Sequence, residues 1–166
     1  MVYIAWLFGF LGTAVGFTIL HQKNRKNLLA AKLISDIFWI IHYTLIGAKS
    51  GAAVFGIAAI RGIVFINKEH KWAKSKLWLV VFIILNIIST ITTWDGFFSI
   101  LPSCASIMSI INYWIGNPRF ARRFQIPISL TFLVYNIFSR SYMGILNEIL
   151  TQISIFTALF ITEKKQ

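Results

Sequence analysis

The residues able to do chemistry in this chain are few, and they gather in two short stretches. In the first, Ser35, Asp36, Trp39, His42 and Tyr43 fall within one arc of roughly 120° when wound at 3.6 residues per turn. Leu33, Ile34, Ile37, Ile41 and Leu45 take the opposite side, so one face suits lipid and the other suits protein or water. A carboxylate inside a membrane span costs about 2.5–3.5 kcal/mol on insertion scales. Asp36 must therefore face inward, be paired, or be protonated. It reads as a cation site or proton relay, or else as half of a structural ion pair. Arg61 is the candidate partner, because counting at 1.5 Å per residue from the basic ends of their runs sets both at similar depth. Arg61 has two other uses: reaching lipid phosphates with its long stem, or binding an anionic solute.

In the second stretch, Asn147, Glu148, Thr151 and Gln152 form a polar face with Gly144 and Ser154. Glu148 has no basic neighbour in its own half at membrane depth. A carboxylate so placed implies a wet cavity or a protonated group. The competing use of this face is hydrogen bonding between helices, worth about 0.6 kcal/mol per contact in a membrane. Tyr135 and Asn136 join the candidate list, as does Asn112. Catalytic chemistry is not indicated. His21, His42 and His70 are scattered, and there is no His-Glu-x-x-His, phosphate-cradling glycine loop or nucleophile elbow. The expectation is a non-enzyme, with no catalytic residue, no metal site and no cofactor.

The elements carrying these residues follow from composition. Of 166 residues, 57% are hydrophobic and 13% charged, which leaves too little polar surface for a soluble domain. A membrane span needs about 20 apolar residues. Seven apolar runs occur, at 2–20, 28–47, 51–67, 77–93, 97–115, 124–139 and 142–162. They are too long and too unbroken for strands, and helices satisfy their own backbone groups as lipid requires. The first run lacks the basic flank and cleavage site of a signal peptide and reads as retained. Cys104, the single cysteine, excludes an intrachain disulfide and reads as a small buried thiol. The net charge of +11 sits between apolar runs rather than on one polar surface, which argues against a nucleic-acid partner.

Charge also sets direction. With seven spans, one side receives 13 of the 16 Lys and Arg residues, at 23–32, 68–76, 119–123 and 164–165. The other side receives Lys49 and Arg140, and Arg61 lies within a span. The positive-inside rule places the C-terminus in the cytoplasm and the N-terminus outside. The chain also repeats weakly at an offset of 93 residues, which lays Asn24-Arg25-Lys26 on Asn117-Pro118-Arg119, Trp39 on Phe132, His42 on Tyr135 and Gly51 on Gly144. The odd number of spans makes the two triplets run in the same direction, as in parallel-repeat carriers. Span four carries a stripe of Asn86, Ser89, Thr90 and Thr93 that reads as packing glue, and Trp6, Trp72, Trp78, Trp94 and Trp114 read as interfacial anchors.

The run Trp39-Ile40-Ile41-His42-Tyr43-Thr44-Leu45-Ile46-Gly47-Ala48, with Gly51 and Ala59-Ile60-Arg61-Gly62-Ile63-Val64-Phe65, resembles the YgjV-type bacterial inner-membrane proteins. The resemblance covers most of the chain. That group is distantly similar to the PQ-loop and SWEET-like transporters, so the resemblance implies a triple-helix-bundle repeat, an inner-membrane location and transport. SWEET-like carriers share prolines on four rocking helices. Here only Pro102 and Pro127 lie in spans, in five and six, and no Pro-Gln pair occurs, so their hinge is not carried over.

The reading is an all-α membrane protein, a single domain over 1–166. Residues 1–67 form a first three-helix repeat, 77–93 a linker helix and 97–162 a second repeat. Its function is translocation of a small polar solute through a central cavity by rocking one repeat against the other, with neutral or cationic solutes favoured. Asp36 and Glu148 would set charge preference or bind a proton, Trp39, Tyr43 and Tyr135 would stack on the solute, and Asn136, Asn147 and Gln152 would hydrogen-bond it, with His42, Arg61 and Thr151 completing the candidate binding set. The expected partners are the bilayer and the solute, with a homo-oligomer left open. A channel and a non-transporting structural or assembly protein are the alternatives.

Overall fold

The structure is a computed structural model and describes residues 2–19, 24–115 and 118–163. Among these residues it is all helical: α1 (Val2–Ile19), α2 (Arg25–Leu45), α3 (Lys49–Ile66), α4 (Leu77–Thr92), α5 (Ile100–Ile115, preceded by a 3-10 turn at Phe97–Ser99), α6 (Pro118–Phe138) and α7 (Tyr142–Glu163). Four stretches, Val2–Ile19, Lys26–Leu45, Lys49–Ile66 and Phe97–Ile115, are long and apolar enough to cross a membrane. Helix α4 is apolar but has only 16 residues. Helices α6 and α7 are 21 and 22 residues long.

The outward surface is apolar. Ile34, Ile37, Ile60, Ile63, Ile87, Ile91, Ile137 and Ile153 are all exposed, while Asp36, His42, Arg61, Asn86, Asn136 and Glu148 are buried. Water would favour the reverse, and lipid favours this arrangement. Cys104, expected to be buried, is exposed on α5. Its neighbours Ser103, Ala105 and Ser106 hold the inner face, which leaves position 104 on the lipid side.

Two helices begin earlier than their apolar runs. Asn24 caps α2, its Oδ1 accepting from the Lys26 N–H at 2.8 Å, so the basic residues that follow are already helical. Helix α6 likewise begins on Pro118, well suited to a first turn because its missing N–H is not needed there. The helix bounds recur at 93 residues: Arg25–Leu45 becomes Pro118–Phe138, and the start at Lys49 becomes the start at Tyr142. The connecting turns recur as well. After α2, Ala48 N donates to Tyr43 O at 2.9 Å and Gly47 N to Thr44 O at 3.1 Å. After α6, Ser141 N donates to Asn136 O at 2.9 Å and Arg140 N to Ile137 O at 3.3 Å. Both are Schellman closures with a left-handed residue at the same place, Gly47 at φ 77° and Arg140 at φ 53°.

Packing fixes the helix directions. The starts of α1, α3 and α7 meet the ends of α2 and α6, through His42 with Ala5 and Ser141 and through Tyr135 with Ser50 and Gly51. Leu101, at the start of α5, packs there too. Helices α1, α3, α5 and α7 therefore run one way, and α2 and α6 the other. Helix α1 packs on α2 and α7, and α5 packs on α6 and α3. Helix α4 packs on α3 and α5, where Thr90 donates to Ser103 Oγ at 2.5 Å and Ser103 donates to Asn86 O at 3.2 Å. Phe65, Phe82 and Ile110 fill this corner with Trp78 and Trp114 against them.

Candidate functional site

Six of the seven helices line an open-mouthed cavity of about 450 Å3. Helix α4 contributes nothing to its wall. The lining comes from Thr13 to Ile19 of α1, Leu28 to Trp39 of α2, Val54 to Arg61 of α3, Ser106 to Tyr113 of α5, Gln125 to Phe132 of α6 and Asn147 to Ile155 of α7. These are the last parts of α1 and α5 and the first parts of α2 and α6. The cavity thus lies toward the bundle end that carries the basic loops.

Small residues let the walls close up. Ser35 Oγ donates to Gly12 O at 2.9 Å, and a Cβ on Gly12 would come within 3.0–3.2 Å of the Trp39 indole. Glycine at position 12 is what allows that ring to approach α1 so closely. Trp39, Phe55 and Phe132 make an aromatic ceiling, with Phe55 centroids 6.1 Å from Trp39 and 5.6 Å from Phe132. Polar side chains on the walls include Ser106, Ser109, Gln125, Asn147, Thr151 and Ser154. Among the described residues three charged groups reach the cavity: Lys32, Arg61 and Glu148.

Above the ceiling the bundle is closed by a polar and aromatic plug. Tyr43 donates to Asn136 Oδ1 at 2.7 Å, joining α2 to α6. His42 bridges Ala5 O at 2.7 Å and Ser141 Oγ at 2.8 Å, tying α2 to α1 and to the start of α7. The Tyr135 hydroxyl accepts from Gly51 N at 2.9 Å and lies 3.0 Å from Ser50 Oγ. Gly51 and Gly144 leave room for this network. A Cβ at 51 would meet Tyr43 and Tyr135 at 2.9–3.0 Å, and one at 144 would overlap Asn136 and Ser141.

A family described as a bacterial inner membrane protein, YgjV, matches residues 3–166. The chain belongs to the YgjV family. No match was found among curated proteins or among solved structures. The family is one of bacterial inner membrane proteins, and the apolar helices and lipid-suited exterior of this YgjV-family chain accord with a membrane location.

In this YgjV-family chain the sequence-selected residues separate into two groups. Trp39, Arg61, Asn147, Glu148 and Thr151 line the cavity, while His42, Tyr43, Tyr135 and Asn136 build the plug. Asp36 and Gln152 line neither. Gln152 turns its amide to Ile126 O at 3.1 Å. The expected Asp36–Arg61 pair does not form. Asp36 is ion-paired to Lys32, one turn earlier on the same helix. Depth matching ignores direction around the axis, and an i, i+4 partner is always in reach. Arg61 instead donates to Ser106 O at 3.3 Å and lies 5.5 Å from the Tyr113 ring centroid. Glu148 accepts from Ser129 Oγ at 2.5 Å and from Asn147 at 3.1 Å.

Several wall residues were not singled out for the site from sequence. Lys32 had been counted with the loop charges, although its spacing to Asp36 was a readable signal. Ser106 and Ser109 are small residues of an apolar run, a pattern that suits helix packing as well as a cavity wall. Phe55 and Phe132, and Ser129 behind the wall as the donor to Glu148, carry no signal of their own beyond the repeat, which lays Phe132 on Trp39.

Proposed function

We propose that the protein moves a small polar solute across the inner membrane by alternating access between two three-helix repeats, α1–α3 and α5–α7, with α4 as the linker. The observation that carries this reading is the cavity: lined by both triplets, spared by α4, and stopped at one end by a plug whose links join the two halves. Its volume is within the usual range for small-molecule sites. The recurrence of helix bounds and Schellman turns at 93 residues supports two equivalent halves. A structural protein has no need of a cavity lined by Arg61 and Glu148, and a channel has no need of a plug. By the charge bias the cavity faces the cytoplasm with the N-terminus outside.

Accessibility tests this directly. Ser109→Cys, in a Cys104→Ser background, is exposed to a membrane-impermeant maleimide in right-side-out and inverted vesicles. Alternating access gives reaction from both faces, faster from the cytoplasmic face, with no ionic conductance. Reaction from neither face removes the cavity as a pathway. Steady conductance in planar bilayers selects the channel.

A further inference from the structure

Among the described residues, Lys32 is tied to Asp36, which leaves the cavity with one cation, Arg61, and one carboxylate, Glu148. Neither lies within 4 Å of an opposite side-chain charge. Both are buried, Arg61 to 4% exposure and Glu148 to 8%. Buried charges at a membrane site are ordinarily paired, because an unpaired one is costly. Here each keeps only neutral hydrogen-bond partners.

Among the described residues they do not pair with each other either. Helices α3 and α7 start at the same end of the bundle, at Lys49 and Tyr142. Arg61 is twelve residues into its helix and Glu148 six into its own, so Arg61 lies deeper toward the basic end by roughly 9 Å along the axis, at 1.5 Å per residue. Glu148 is at the level of Phe55, under the aromatic ceiling. Ring faces attract ammonium groups, and the Lys32 ammonium already lies 5.7 Å from the Phe55 centroid. At the Arg61 end the Ser106 hydroxyl is 2% exposed, lines the cavity and has no hydrogen-bond partner. A carboxylate there would accept from both Arg61 and Ser106.

Building on the transport reading, we infer that the cavity binds a zwitterionic solute of the amino-acid class, its carboxylate on Arg61 and its ammonium on Glu148 beneath the ceiling. The preference for neutral or cationic solutes rested on counting Asp36 with Glu148. With Asp36 and Lys32 paired to each other, the described residues of the cavity present one further charge of each sign, Arg61 and Glu148.

The test is binding, read separately from transport. The purified protein in detergent is titrated calorimetrically with glycine, β-alanine, γ-aminobutyrate and 6-aminohexanoate, which step the charge separation. Their methyl esters carry only the positive charge, their N-acetyl forms only the negative, and glucose carries none. At least one amino acid should bind about 10-fold or more tightly than its ester and its N-acetyl form, the loss expected for one hydrogen bond to a charged group. Arg61→Gln should abolish the advantage over the ester, Glu148→Gln the advantage over the N-acetyl form, and Arg61→Lys should retain both. If a glutamine variant fails to fold, the comparison of probes on the unsubstituted protein decides. Glucose or a single-charge probe binding as tightly as every amino acid overturns the inference, and so does absence of binding by the whole series. Either result leaves the maleimide test of alternating access standing. Failure of that test with amino-acid binding intact would separate the site from transport.

Discussion

The Tyr43 hydroxyl is the most informative atom to remove. It joins the two halves of the bundle at the plug through Asn136 Oδ1 at 2.7 Å, while its ring stacks on Phe55 at 5.3 Å. Tyr43→Phe deletes the hydrogen bond and leaves the stacking surface. Membrane hydrogen bonds between helices average about 0.6 kcal/mol and reach about 1.7. Asn136 Nδ2 has no hydrogen-bond partner, so the amide has nothing in reserve when Oδ1 loses its donor. If this contact exists only in the plugged state, the plug-open population should rise by the Boltzmann factor of its loss, about 3-fold to about 18-fold. The assay is maleimide reaction at Ser109→Cys from the plug face, with reaction from the basic face as control. The plug-face rate should rise by that factor while the basic-face rate falls slightly or holds. Equal acceleration from both faces would mean general loosening, and an unchanged plug-face rate would show that the hydrogen bond does not hold the gate.

The remaining predictions concern stability and orientation. Asp36→Asn should leave the Lys32 ammonium uncompensated and cost about 2.5–3.5 kcal/mol, with Asp36→Asn/Lys32→Gln recovering most of it and Arg61→Gln recovering none; thermal unfolding in detergent resolves the cycle. Gly144→Ala should destabilise by about 1–3 kcal/mol through overlap with Asn136 and Ser141, whereas Gly56→Ala, with nothing within 4 Å of the new Cβ, should be neutral or stabilising. A C-terminal fusion to a reporter active only in the cytoplasm should be active, and activity of a periplasm-only reporter at that position would reverse the assigned direction.

Much of the architecture was legible because hydropathy is a strong signal over 18 or more residues, and all seven apolar runs coincide with helices. Hydropathy fails at the starts of α2 and α6, where Arg25 and Lys26, and Pro118 to Arg123, are helical but polar. The composition of the polar faces was also readable, but not their destination. Trp39 and Tyr43 share one arc of α2, yet one lines the cavity and the other locks the plug, because they differ by about a turn in depth. Ion pairing was misread for a related reason: span-to-span depth is one coordinate of three, and the Lys32–Asp36 pair needed none of them. Arg140 adopts the left-handed turn that glycine provides at position 47, a correspondence visible only once the backbone is seen.

Helix α4 carries one more consequence. Sixteen residues at 1.5 Å each span about 24 Å, short of a hydrocarbon layer roughly 30 Å thick. Its neighbours α3 and α5 are joined through it, so the bilayer must thin along that flank or α4 must be pulled at its ends. Mismatch costs fractions of a kcal/mol per Å. That is the same scale as the single hydrogen bond at the plug, so under the proposed alternating access acyl-chain length alone would be large enough to bias which face of the cavity opens.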